Sequence, residues 1–140
     1  MNRLQTFAPW INRIVLAAAT LIFTMIGMRY IANPVQAAAA TGATLNTPLA
    51  VTTTRIGFGA FPLGIAVFAF ISLLSVQRLV PAVRLVAIVV TSAIVVRVIG
   101  IMADGAVPAS SRLFIPEGVI LFLAATGLLL QTRAEKGAQS

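Results

Sequence analysis

The chain has 140 residues, of which 59% are hydrophobic and only 9% are charged, and its formal net charge is +7. A soluble domain carries roughly 25% charged residues, so the composition argues against a water-soluble monomer, and its apolar content argues against disorder. Because the sequence has no histidine and no cysteine, sites that depend on those side chains are excluded, including disulfides, iron–sulfur clusters and serine–histidine triads.

Four apolar stretches predict four transmembrane helices within a single domain that covers residues 1–140. The predicted spans are about residues 11–31, 55–76, 83–103 and 115–131, and crossing the hydrocarbon core takes roughly 20 residues. Stretches such as residues 85–96 are apolar on every face, whereas strands of a membrane barrel alternate between apolar and polar residues. The predicted fold class is therefore all-α, a four-transmembrane-helix bundle.

The N-terminal span has a competing interpretation as a secretory signal peptide. Arg3, the apolar residues 14–28 and the small residues 35–39 resemble the three regions of such a peptide. We favour a retained helix, because Arg29 and Tyr30 stand at the junction of the apolar and small-residue regions.

Helix-start signals follow the first span. Asn33-Pro34 and Thr47-Pro48 each combine an N-cap residue with proline at the first helical position. They predict a short helix, closed near Gly42, and a second long helix that begins near Pro48.

Later proline and glycine residues predict further helix features. Pro62 is expected to kink the second helix. Pro81 is expected to open the third helix and Gly105 to end it, while Ser110 or Ser111 is expected to cap the fourth.

The distribution of basic residues predicts that both termini are cytoplasmic. Positive residues concentrate on the cytoplasmic side of membrane proteins, and with four spans one side holds six of them: Arg3, Arg13, Arg78, Arg84, Arg133 and Lys136. The opposite side holds Arg29, Arg55 and Arg112, with Arg97 inside the membrane. The basic residues are dispersed, so we expect attraction to lipid head groups and no nucleic-acid binding.

Four charged residues form the candidate site: Arg55, Arg97, Asp104 and Glu117. Arg97 lies inside the third span, where a charge costs about 2.5–3.5 kcal/mol, and Asp104 follows two turns later on the same helical face. Glu117, at the start of the fourth helix, is expected at the same depth in the membrane as Arg97. Arg55, at the start of the second apolar span, is expected at this depth too. Three interpretations remain open: an ion-pair layer that fixes helix register, an exterior pocket for a ligand, and arginines that extend to the membrane surface without meeting the other charges.

Small residues in the second and third helices predict close helix packing. Such residues let two helix backbones approach each other within a membrane. The candidates are Gly57, Gly59, Ala60, Gly64 and Gly100.

Residues 55–64 and 97–105 together resemble the second and third helices of a bacterial membrane family known as domain of unknown function 4345, which is DoxX-like. Glu117 matches an acidic residue early in that family's fourth helix, whereas Thr53 stands where the family often has glutamate. The resemblance extends over about residues 32–130. It implies a four-helix integral protein of the bacterial inner membrane with no established activity.

The primary functional hypothesis is a structural or accessory role in a membrane assembly, with membrane lipids and other membrane subunits as partners. The alternative is the binding of a small anionic or polar ligand, such as a quinone or a lipid head group, at the exterior site. An enzyme is the weakest hypothesis, because no nucleophile, metal-ligand set or phosphate loop accompanies Glu117. We therefore expect no catalytic residues, no metal and no cofactor.

Overall fold

A computed structural model describes residues 3–105 and 114–139, and within these ranges the regular structure is entirely helical. The predicted all-α class is therefore confirmed. The helices are α1 (Arg3–Ala32), α2 (Pro34–Ala39), α3 (Pro48–Thr54), a π-helical segment (Arg55–Ala60), α4 (Phe61–Leu73), α5 (Val76–Asp104) and α6 (Phe114–Gln139).

Three helical stretches are long and apolar enough to cross a membrane. They are Pro9–Ala32 with 24 residues, Pro48–Leu73 with 26 residues and Val76–Asp104 with 29 residues. At a rise of about 1.5 Å per residue, each exceeds the roughly 30 Å of the hydrocarbon core. These dimensions indicate a membrane protein.

Two predicted helix starts are confirmed by their caps. Asn33 Oδ1 accepts a hydrogen bond from the Gln36 backbone N–H at 3.2 Å, and Thr47 Oγ1 accepts one from the Ala50 N–H at 3.1 Å. Each cap satisfies an N–H group that has no partner within the helix. The second long helix consequently begins at Pro48, well before its most apolar part.

Two glycines with positive φ follow helix ends. Gly42 has φ +84° and lies in the turn after α2, and Gly105 has φ +94° and directly follows α5. The Gly105 N–H donates to the Ile101 carbonyl at 3.1 Å, so this residue ends the helix as predicted. The predicted caps Ser110 and Ser111 lie outside the described residues.

The third long helix begins earlier than the sequence predicts. It starts at Val76, so Pro81 lies inside it, and only Leu74 and Ser75 separate it from α4. Proline is tolerated here because the one helical hydrogen bond it removes is the bond to the Gln77 carbonyl, in the exposed first turn. The turn itself is made at Ser75, whose backbone is extended at φ −137° and ψ 122°.

The sequence predicts a kink at Pro62. The structure instead has a π-helical segment just before this proline. Proline has no N–H, so the Phe58 carbonyl lacks the donor that a regular α-helix would supply. The Phe61 N–H donates instead to the Ile56 carbonyl, five residues earlier. The segment is therefore wider than an α-helix and continues directly into α4.

The first helix occupies the centre of the structure and packs against α4, α5, α6 and the π-helical segment. Its buried residues join small and branched side chains from the other helices: Val15, Leu16, Ala19, Ala69, Leu79, Ala82, Val83, Val86, Val90 and Ala124. Large apolar side chains also cover the outer surface, among them Met25, Ile88 and Phe122. An outer surface of this kind suits contact with lipid.

Candidate functional site

The candidate site is centred on an ion pair between Arg97 of α5 and Glu117 of α6. Arg97 Nη2 donates to Glu117 Oε1 at 2.5 Å, and Arg97 Nε donates to Glu117 Oε2 at 3.1 Å. The side chains are 22% and 19% exposed. Two parallel, charge-assisted hydrogen bonds of this kind fix both the distance and the relative orientation of the two groups.

The helix geometry explains why these two residues meet. Arg97 lies seven residues before the end of α5, and Glu117 lies in the first turn of α6. The end of α5 and the start of α6 come together because the two helices pack against each other. A helix N-terminus also favours a nearby carboxylate.

The other two candidate charges do not join this pair. Arg55 and Asp104 are exposed, and Arg97–Glu117 is the only ion pair among the side chains that the structure describes. Asp104 points along its own helix, since its Oδ2 lies 4.0 Å from the position that a Cβ on Gly100 would take. The four candidate residues therefore do not form a connected network in the described structure.

An apolar cavity of about 220 Å³ adjoins the ion pair. Helix α1 contributes Ile22, Phe23 and Ile26, helix α5 contributes Val89, Val90 and Ala93, and helix α6 contributes Glu117 and Ile120. Glu117 is the one polar residue of this lining. Glu117 thus lies both in the ion pair and at the wall of a cavity whose surface is almost entirely hydrocarbon.

The predicted small-residue contacts divide into two groups. A Cβ on Gly59 would lie 2.7 Å from Ile31 Cγ1, so this glycine allows the π-helical segment to approach α1 closely. No atom lies within 4 Å of such a Cβ on Gly57 or Gly64, and Ala60 is exposed. A Cβ on Gly100 would likewise meet no closer atom than its own helix's Asp104.

One residue that sequence reasoning did not single out, Gly27, completes the contact at Gly59. Gly27 of α1 faces the π-helical segment, and a Cβ there would lie 2.9 Å from the Gly59 carbonyl oxygen and 3.1 Å from the Leu63 nitrogen. Beside this contact the Tyr30 and Phe58 rings lie 5.2 Å apart at 30°. The sequence signal was available, because Gly27 is a small residue inside an apolar span.

A second contact missed by sequence reasoning lies between α1 and α6. The Asn12 side chain is fully buried, and neither its amide nitrogen nor its oxygen has a hydrogen-bond partner. A Cβ on Gly127 would overlap the Asn12 oxygen. The only sequence signal was a polar residue at the beginning of an apolar span.

The described residues contain no group of three or more acidic, histidine or cysteine residues that could hold a metal ion. A model of the protein family described as "Domain of unknown function (DUF4345)" matches residues 11–129. The chain belongs to this family. No curated protein and no solved structure matches the chain.

The DUF4345 match includes every residue of the candidate site. Arg97, Glu117 and the whole cavity lining fall within residues 11–129, as do Asn12 and Gly127. The ion pair, the cavity and the α1–α6 contact therefore all belong to the family domain.

Proposed function

We propose that this DUF4345 protein is a multi-pass protein of the bacterial inner membrane with a structural or accessory role in a membrane assembly. The observation that carries the structural role is the two-bond ion pair between Arg97 and Glu117. A relationship to DoxX-like proteins is part of this proposal and adds no activity to it.

The proposal includes α6 as a fourth membrane span. Its 26 residues correspond to about 39 Å of helix, and residues 118–130 carry no charge. It packs against α1 and α5, and its one carboxylate near the start is paired with Arg97. A helix with these properties can lie beside the other three in lipid.

Four spans would place both termini on the same side of the membrane. The excess of basic residues at the termini and in the first part of α5 supports a cytoplasmic location for that side. Arg78 and Arg84 are exposed near the start of α5. They can extend to the lipid head groups, because long basic side chains reach towards the membrane surface from helix ends.

The ion pair supports a structural role over a site for an anionic ligand. Each Glu117 oxygen already accepts a hydrogen bond from Arg97, so the two charges compensate each other inside an apolar bundle. Arg55 and Asp104 do not add further charge to the pair. An anion would have to compete with Glu117 for the guanidinium.

A double-mutant cycle tests the structural role. Arg97→Leu or Glu117→Leu alone leaves one uncompensated charge and should lower the unfolding free energy by about 1–3 kcal/mol, less than the roughly 3–5 kcal/mol for a fully buried pair. The double variant should recover most of that loss, because neither charge remains. The measurement is the unfolding equilibrium in detergent micelles. If the double variant loses the sum of the two single effects, the pair does not stabilise the fold.

A further inference from the structure

The cavity beside Glu117 opens towards the outer surface of the bundle. Ile26 and Ala93 line it and are themselves exposed, whereas Val90 is buried at its inner wall. In a membrane this outer surface faces lipid. A molecule dissolved in the bilayer can therefore enter from the side.

The volume of the cavity limits its occupant to a slender molecule. At about 220 Å³ it is smaller than the roughly 300–1,000 Å³ of pockets that hold drug-sized ligands. It is larger than an apolar cavity of roughly 150 Å³, which stays dry and takes up benzene. A hydrocarbon chain segment fits between these limits, and an apolar lining disfavours water.

The single polar group lies at one end of this space. Arg97 is seven residues from the end of α5, and Ala93 and Val89 lie about 6 and 12 Å deeper along that helix. Glu117 is in the first turn of α6, and Ile120 is about one turn deeper. An amphiphilic molecule in the cavity would hold its polar end at Glu117 near the membrane surface and its chain in the interior.

The charges decide which polar end suits this position. A carboxylate offers about four acceptor sites, and Arg97 uses one on each oxygen, so Glu117 can still accept a hydrogen bond. A ligand anion would meet the like charge of Glu117, and a ligand cation would add positive charge beside an already compensated pair. Both are unfavourable in a low-dielectric environment. A neutral hydrogen-bond donor avoids both costs.

We propose that the cavity binds a neutral aliphatic lipid that carries a hydroxyl group. Its chain lies between α1, α5 and α6, and its hydroxyl donates a hydrogen bond to the Glu117 carboxylate. This binding site goes beyond the structural role of the ion pair and leaves the pair intact.

Photo-crosslinking of the full chain in phosphatidylethanolamine–phosphatidylglycerol nanodiscs tests the proposal. The probe is decanol with a diazirine on its chain, and peptide mass spectrometry locates the label. We expect labelling in residues 22–26 and 89–93. Unlabelled decanol should reduce the labelling at an approximately tenfold lower mole fraction in the lipid than decanoate or decane. Labelling spread evenly over the lipid-facing surface, or equal competition by decane or decanoate, would overturn the proposal.

A matched pair of variants tests the position of the site. Ala93→Phe places a ring in the cavity, and Ala125→Phe places the same ring on an exposed alanine of α6 that does not line it. Labelling should fall about fivefold or more in the first variant and stay unchanged in the second. Unchanged labelling in folded Ala93→Phe would contradict the proposal. If this variant does not fold, the competition series on the unmodified chain decides the question.

Discussion

Asn12 of α1 is buried directly against Gly127 of α6, with no room for a Cβ on the glycine. Both polar atoms of the amide lack a hydrogen-bond partner, which is costly in an apolar environment. This contact fixes how closely the first and last helices of the structure approach.

Gly127→Ala should destabilise the protein because its new methyl group overlaps the Asn12 oxygen. We expect a loss of about 1–3 kcal/mol in unfolding free energy, as is typical of overpacking. Gly118→Ala is the matched control, since nothing lies within 4 Å of its Cβ position. Adding Asn12→Ala to Gly127→Ala should recover part of the loss, and a purely additive double variant would contradict a direct clash.

Alanine substitutions at three glycines should differ in severity. Gly27→Ala should be the most damaging because its methyl group meets backbone atoms of Gly59 and Leu63, which cannot rotate away. Gly59→Ala meets the side chain of Ile31, which can move, and should cost less than Gly27→Ala. Gly57→Ala meets nothing and serves as the control. Equal thermal stability of all three variants would contradict the close approach of the π-helical segment to α1.

Removing either exposed candidate charge should have little effect on folding. Arg55→Leu and Asp104→Leu should each change the unfolding free energy by no more than about 0.5 kcal/mol, as is usual for exposed positions. Their effects should contrast with those of Arg97→Leu and Glu117→Leu in the same assay. A loss above 1 kcal/mol at either position, on the order expected for a missing ion pair, would indicate that the charge belongs to the paired layer.

Cysteine labelling should reveal the orientation in the membrane. The sequence has no cysteine, so single replacements can be made at Thr44, between α2 and α3, and at Leu74, between α4 and α5, both exposed. A membrane-impermeant maleimide should label Thr44→Cys in intact cells and Leu74→Cys only after permeabilisation. The reverse pattern would show that the proposed cytoplasmic side is wrong.

The open small-residue face of the second long helix provides a test of the accessory role. Gly57 and Gly64 have free space beside them and Ala60 is exposed, so a neighbouring transmembrane helix could approach closely there. We expect Gly64→Leu to reduce the amount of any higher-mass complex on native gels while leaving thermal stability unchanged. Gly118→Leu is the control on another helix. Identical complexes in both variants would exclude this face as the contact.

Local signals in the sequence predicted part of the fold. The starts at Pro34 and Pro48 follow from cap chemistry that involves only neighbouring residues. The start of α5 at Val76 does not follow from such local signals. Proline within the first turns of a helix removes few hydrogen bonds, so Pro81 does not have to mark the first residue of α5. The π-helical segment was not predicted either. Its prediction requires knowing which backbone carbonyls lose their N–H donors around Pro62.

The candidate site was harder to predict, because depth follows from residue spacing whereas helix rotation does not. Residue spacing predicted that Arg97 and Glu117 lie at the same depth in the membrane. It predicted the same depth for Arg55 and Asp104. The spans are apolar on nearly every face, so the hydrophobic pattern does not indicate which side of each helix faces its neighbour. Only the packed structure distinguishes the paired charges from the exposed ones.

The π-helical segment at Arg55–Ala60 holds more residues per turn than a regular helix would need. Deleting one residue there would restore an α-helical repeat with little rotation of α3 relative to α4, because the wider turn already absorbs the extra residue. Deleting one residue from a regular part of an apolar span would instead rotate the two flanking helix segments by about 100° relative to each other. A one-residue deletion should therefore be tolerated better within Arg55–Ala60 than elsewhere in the spans, as long as Gly59 stays opposite Gly27.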